Sequence, residues 1–248
     1  MLPVYDEPGC ERRMLIYRND IDNVDIGYPL VNPTVFGQPL VLRVIQGAPG
    51  DEWLRVQAPV RPHGQSVWVR ADGLELSATT KRIEVDLAEI PQLTLYDGDG
   101  ELVESLAVTG RGARPTLLHD TYIDQIFRGA TLSPAYGTYI FTMASYSEVL
   151  GTFGGAGLPG QSIYGTNQPE LIGQRVSSGG IRVPNEVIEE MFEQPGMLGA
   201  NVLIYDSTGF GRLEAIERQR LRRWTPALTT TFLNSRFSGD AAPVTSYS

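Results

Sequence analysis

One cysteine and two histidines are all that the 248 residues contain. With Cys10 alone no intrachain disulfide can form, so order must come from packing and hydrogen bonding. No Cys/His cluster offers a zinc site and the acidic residues lack metal-ligand spacing, so neither a metal nor another cofactor is expected. Positive charge is also scarce. Lys and Arg number 20 against 29 Asp and Glu, for a net charge of −9 and a pI near 4.8. Such a surface repels a phosphate backbone, so nucleic acid is excluded as a partner. No apolar run approaches the roughly 20 residues that span a bilayer. The glycines 151, 154, 155 and 157 around Phe153 lack the Lys-Ser/Thr ending of a phosphate-binding loop, which argues against nucleotides.

What is present is the composition of a packed chain, 42% apolar and 20% charged. Residues 1–32 mix Pro, Gly, Asp and Asn with little periodicity and read as an extended N-terminal segment. The stretch before Cys10, Tyr5-Asp6-Glu7-Pro8-Gly9, is acidic and turn-forming, unlike the apolar run before a lipoprotein cleavage site, and no export signal is visible. From residue 33 to 78 short β runs are broken by Gly47, Pro49, Gly50 and Pro62, with Trp53 and Trp68 expected in a small barrel core. The polar stretch Ser77-Ala78-Thr79-Thr80-Lys81 reads as a joint to a second unit, 81–206. There Ile83, Val85 and Leu87 alternate with acids, and Asp97-Gly98-Asp99-Gly100 predicts a hairpin. Most aromatics between 111 and 160 are expected in the core. Val187, Ile188 and Met191 share one helical face, with Asn185 placed to cap it. Residues 201–205 read as a closing strand and 207–248 as a helix, about 212–224, with a disordered tail.

The most specific signal is IYGTNQPELIGQRVSSGGIRVPNEVIEEMF, residues 163–192. It resembles the bacterial L,D-transpeptidases of the YkuD type, whose motif reads I-H-G-T, a spacer, then S-H-G-C-I-R-[VM]. Ser177, Gly179 and Arg182 match. Tyr164 stands at the first histidine, Ser178 at the catalytic base and Gly180 at the nucleophilic cysteine. RIEVDLAEIPQLTLYDGDGELVESLAV resembles the family's opening hairpin, and YGTYIFTMASYSEVLGTFGG its substrate-side segment. WLRVQAPVRPHGQSVWVRADGLEL resembles the β module that precedes the catalytic domain in actinobacterial members. A second departure is GRGARPTLLHDTYI, where the family usually carries a Thr-Pro run.

The resemblance implies a mostly β protein, an SH3-like barrel module followed by an L,D-transpeptidase-like domain with one or two helices, exported to the cell envelope. The family's thiolate attacks a stem-peptide carbonyl, a histidine takes the thiol proton, and backbone NH groups hold the oxyanion. Gly180 supplies no attacking atom. The implied reading is a pseudoenzyme that binds peptidoglycan stem peptides or a cell-wall protein through Tyr164, Asn167, Ser177, Ser178, Gly179 and Arg182. Tyr164 either contacts ligand or fills the volume of the lost imidazole. Arg182 either holds a carboxylate or ties down backbone. One alternative is a rebuilt acyl-transfer or hydrolytic site using Ser177, Ser178, Tyr164 or His119, with His119 weighed as more often a packed histidine than a base. Another is a structural interaction module acting through the barrel or the Arg-bearing tail.

Overall fold

The computed structural model describes residues 1–154, 157–208 and the backbone of 227–232. The helix expected at 212–224, the tail after 232 and Gly155 lie outside these residues. The described part is mostly β, with one α-helix, Asn185–Glu193.

An eight-stranded sheet runs in the order Gly100–Leu106, Gln92–Asp97, Lys81–Asp86, Asn201–Tyr205, His119–Arg128, Tyr139–Tyr146, Gly160–Tyr164 and Ile181–Arg182. Asp97 pairs with Gly100 and Gly98 has φ +58, so the hairpin turns where Asp97-Gly98-Asp99-Gly100 predicts it. Asn201–Tyr205 inserts parallel to Lys81–Asp86 and antiparallel to His119–Arg128, as a closing strand. Alternation sends Ile83, Val85, Leu93, Leu95, Ile123, Phe141, Met143, Ile163, Val202 and Ile204 to one core, which Ile188 and Met191 of the helix complete.

A seven-stranded sheet runs Arg12–Arg13, Val4–Tyr5, Ser66–Arg70, Trp53–Gln57, Val41–Gln46, Ala227–Phe232 and Leu74–Thr79. Its core holds Leu42, Leu54, Val56, Val67 and Val69. Trp53 and Trp68 are only half-buried, contrary to the expectation that they fill it. Leu54, Val56, Val67 and Val69 take the inward positions, and strand alternation leaves both indoles on the opposite face. There Trp53 meets Tyr5 edge-on at 5.0 Å and carries the Arg70 guanidinium over its ring. The N-terminal segment contributes more than its composition suggests: Val4, Leu15, Tyr17 and Leu30 are core residues, and Ile16–Asn19 pairs with Val24–Gly27.

The polar joint is strand on both sides, with Thr80 alone between Leu74–Thr79 and Lys81–Asp86. Thr79 Oγ1 donates to Gly196 O at 2.6 Å, and the buried Lys81 pairs with Asp97 at 2.8 Å. The two sheets meet along His119–Arg128. Arg43 bridges Asp120 Oδ1 (2.5 Å), Thr121 O (3.1 Å) and Asn201 Oδ1 (2.9 Å). Thr34 donates to Gln125 Oε1 at 2.6 Å, and Phe36 stacks on Phe127 at 5.0 Å. Val41, Tyr122 and Ala144 form a small shared cluster.

Arg61 closes the same junction. Only 7% exposed, it donates to Arg18 O (3.0 Å), Ser147 O (2.5 Å), Leu150 O (3.2 Å) and the side chain of Asn19. Replacing it by Ala leaves those carbonyls without their donor, and Arg61→Ala should cost about 3 kcal/mol or more, with Arg61→Lys intermediate. Urea unfolding checks this; a loss below about 1 kcal/mol for the alanine variant contradicts the clamp.

Candidate functional site

The segment that carries the motif folds as Gly160–Tyr164, a loop, Arg175–Ser177, a three-residue turn and Ile181–Arg182. Parallel pairing of Ile163 with Ile181 and Tyr164 with Arg182 brings its two halves together. Tyr164, Ser177, Ser178, Gly179, Gly180 and Arg182 are therefore neighbours, as the motif implies. Asn167 is exposed on the intervening loop.

The turn is held by buried polar side chains. Ser177, 1% exposed, donates to Gly180 O at 2.6 Å and accepts from Gly179 N at 3.1 Å. Gly179 has φ +111, which L side chains rarely adopt, and its carbonyl accepts from Thr116 Oγ1 (3.0 Å) and Gln161 Nε2 (3.2 Å). Thr116 also accepts from Gly110 N at 2.8 Å. The segment that departs from the family's Thr-Pro run thus braces the turn from outside. Arg114 adds a bond to Ser178 Oγ at 3.2 Å.

Gly180 faces Tyr164. A β-carbon at Gly180 would lie 2.6 Å from Tyr164 Cε1 and 2.9 Å from its Oη, so the ring occupies the space that any side chain there would need. The Tyr164 ring takes the room in front of position 180. It is 9% exposed, meets Tyr136 edge-on at 4.9 Å, and accepts from Arg182 Nε at 3.4 Å. Arg182 reaches on to Gln168 Oε1 at 3.1 Å.

Asn185 does not cap its helix. Its Oδ1 accepts from Thr138 N (3.3 Å) and Thr166 N (3.1 Å), while its Nδ2 donates to Thr166 O (3.1 Å). Pro184 already occupies the cap position, which frees the carboxamide to pin the loop leaving Tyr164. A methyl group at Gly137 or Gly165 would collide with it. Gln161, Thr116, Arg114, Tyr136 and Gln168 escape sequence reasoning, because their roles rest on contacts across strands.

Among the described residues neither serine has a base within hydrogen-bond reach. Ser177 spends its hydrogen on Gly180 O, and the partner of Ser178 is a guanidinium, which cannot accept a proton. His119 packs on the ring of His63 at 5.0 Å, where the sheets meet. His119 Nδ1 donates to Leu117 O at 3.2 Å, and His63 Nε2 accepts from Tyr146 N at 3.0 Å. Burial, then the Arg61 guanidinium, lowers His63 to about 4. Burial, then His63, lowers His119 to about 4. Nearby, Asp124 is the extra residue of a bulge between Ile123 and Gln125. Burial pushes its carboxyl up to about 6, against the Thr142 hydroxyl and local backbone NH groups, which lower it.

Compared with known families, residues 80–204 match the YkuD L,D-transpeptidase catalytic domain. The match takes in half of the chain, and the chain belongs to that family. No curated protein matches it. Among solved structures it is similar to a mutant L,D-transpeptidase from Enterococcus faecium, with 22% identity over 50% of this chain and 49% of that one and a TM-score of 0.39. A Bdellovibrio bacteriovorus protein gives 19% identity over 59% and 55%, with a TM-score of 0.43. Mycobacterium tuberculosis L,D-transpeptidase 3, solved with a faropenem-derived adduct, gives 12% over 65% and 71%, with a TM-score of 0.38. The chain spans about half the length of the first two. Among the described residues no helix is long and apolar enough to cross a membrane, and no group of three or more His, Cys, Asp or Glu side chains could hold a metal.

The buried titratable groups set a pH dependence. Between about pH 6.5 and 4 the unfolded chain protonates both histidines while the native state leaves them neutral, so stability falls as pH falls. Asp124 acts oppositely: from its ordinary 3.8 to about 6 the native state keeps a proton that the unfolded chain has lost, so its contribution falls as pH rises. Two histidines outweigh one carboxyl, and urea midpoints should rise from pH 4 to 6.5. Asp124→Asn should steepen that rise and His119→Gln should flatten it; a wild-type profile flat over this range would contradict the assignment.

Proposed function

We propose that this protein is a non-catalytic member of its family, a pseudoenzyme of the extracytoplasmic cell envelope that binds peptidoglycan stem peptides or a cell-wall partner. On this reading residues 33–78 form an SH3-like module and 81–206 the ligand-binding domain, with Tyr164, Asn167, Ser177, Ser178, Gly179 and Arg182 at the cleft. The observation that carries it is the exchange at position 180. Gly180 has no attacking atom, and the Tyr164 ring stands 2.6 Å from where a β-carbon would begin.

Attack on an amide carbonyl needs a nucleophile, a base within hydrogen-bond reach and room for a tetrahedral centre. The first is missing at 180, the ring takes the third, and Ser178 has Arg114 where a base would be needed. The backbone frame nevertheless stays ordered by Ser177, Thr116 and Gln161. That combination supports recognition of a peptide without turnover. The serine-based alternative has no comparable support, since Ser177 is committed to the turn.

Two measurements test the reading. Titration with muropeptides should detect binding by the wild type, and mass spectrometry after incubation with a carbapenem should find no adduct; a wild-type adduct on Ser177 or Ser178 would overturn it. Gly180→Cys alone should stay unacylated and lose about 1–3 kcal/mol through overpacking against Tyr164. Combining it with Tyr164→His and Ser178→His should relieve the clash and produce an adduct of one drug mass.

A further inference from the structure

The two hydroxyls that stand at the family's histidine positions are each held by a guanidinium. Arg114 Nη1 donates to Ser178 Oγ at 3.2 Å, and Arg182 Nε donates to Tyr164 Oη at 3.4 Å. A hydroxyl that accepts from a guanidinium keeps its own hydrogen to donate, and among the described residues neither hydroxyl spends it on an acceptor. Where imidazoles would take up a proton, this chain sets a cluster of donors.

A third cation lies beside them. Arg111 N donates to Ser177 O at 3.3 Å and Arg114 N to Arg111 O at 2.8 Å, so the Arg111–Arg114 turn lies against the turn at 178–180. Among the described residues no Asp or Glu pairs with Arg111, Arg114 or Arg182, although the chain has 29 acids for its 20 Lys and Arg. Arg111 is exposed, and Arg114, Ser178, Gly180 and Arg182 are half-buried, so the donors reach solvent. Donors of this kind, left without a carboxylate, call for an anion rich in acceptor oxygens.

The spacing suits a compact one. Tyr164 Oη lies 2.9 Å from the β-carbon position of Gly180. Two residues of chain put Ser178 at most about 7 Å from Gly180. Two hydrogen bonds of about 2.8 Å with a phosphate between them reach across roughly 8 Å. A carboxylate brings one charge and is satisfied by a single guanidinium, whereas a phosphomonoester brings nearly two charges and three oxygens. The surface as a whole, at a net −9, still repels a long polyanion, but a single phosphate meets chiefly the local arginines.

We propose that Arg114, Ser178, Tyr164 and Arg182, with Arg111 at the rim, bind a single phosphate group, either the free ion or the monoester of a small molecule. The proposal goes beyond the peptide-binding reading and does not rest on it. Its test contains no peptide, so its failure leaves that reading as it stands.

The full chain is titrated calorimetrically with inorganic phosphate, glycerol 3-phosphate and acetate at equal ionic strength, near pH 8, where phosphate is mainly a dianion. At least one phosphate probe should bind about tenfold or more tighter than acetate. Arg114→Gln should weaken that binding about tenfold or more. Tyr164→Phe, which keeps the ring against Gly180, and Ser178→Ala should each weaken it by less. In 1H–15N spectra of the wild type, the amides of Ser178, Gly179 and Gly180 should shift with phosphate and not with acetate, a readout that needs no variant to fold. Tighter binding of glycerol 3-phosphate supports an organic monoester as the ligand, and tighter binding of inorganic phosphate supports the free ion. Equal binding of phosphate and acetate, an affinity untouched by Arg114→Gln, or shifts confined to residues away from the turn would overturn the site.

Discussion

The strand His119–Arg128 must be covered on both faces, and most of the architecture follows from that. Ile123 on one side joins the core closed by the helix, while Tyr122 on the other meets Val41 and Ala144. An apolar strand face left wet forfeits roughly 25 cal/mol for each Å² it fails to bury. The seven-stranded sheet, with its flanking loops, supplies the cover. Its contacts follow the strand in order, from His63 on His119 through Arg43 on Asp120 and Thr34 on Gln125 to Phe36 on Phe127. Arg61 then fastens the rim with a buried guanidinium whose charge is met by carbonyl oxygens instead of a carboxylate. The one-residue passage at Thr80 leaves little slack between the sheets, so the short tether and the packing together restrict their placement.

That cover also explains the unusual titrations. His63, His119 and Asp124 come from different segments and are dehydrated by the same junction. The histidines meet it as neutral rings, at little electrostatic cost. Asp124 has no such option once ionised, and the Thr142 hydroxyl and two backbone NH groups offset only part of the penalty.

What was legible in the sequence was local. The Asp97–Gly100 turn, the amphipathic helix at 185–193 and the alternation of 83–87 each depend on residues a few positions apart, and each forms as read. The motif frame was legible for the same reason. What escaped was set by partners far along the chain. Tyr5 pairs with Trp68, and the burial of Tyr17 depends on Arg61 and Tyr146, so residues 1–32 looked featureless although they help build a core. The inward positions of Leu54 and Val56 decide where Trp53 points, and ring size alone misplaced it. Asn185 was a good cap by type, yet two backbone NH groups across the loop compete for the same oxygen and win.

Two separate sets of contacts shape the site. A tyrosine ring and a glycine exchange volume at position 180, so the space a nucleophile would need is closed by a single side chain. The turn beneath is held by Ser177, Thr116 and Gln161, none of which depends on that exchange. Thr142 and Ser162 sit on strands whose register is fixed by the core on the opposite face, where Phe141 and Ile163 pair. The closure of position 180 therefore requires no movement of those strands. The side chain that closes position 180 and the side chains that hold the turn are anchored by different contacts, so the frame does not depend on the ring.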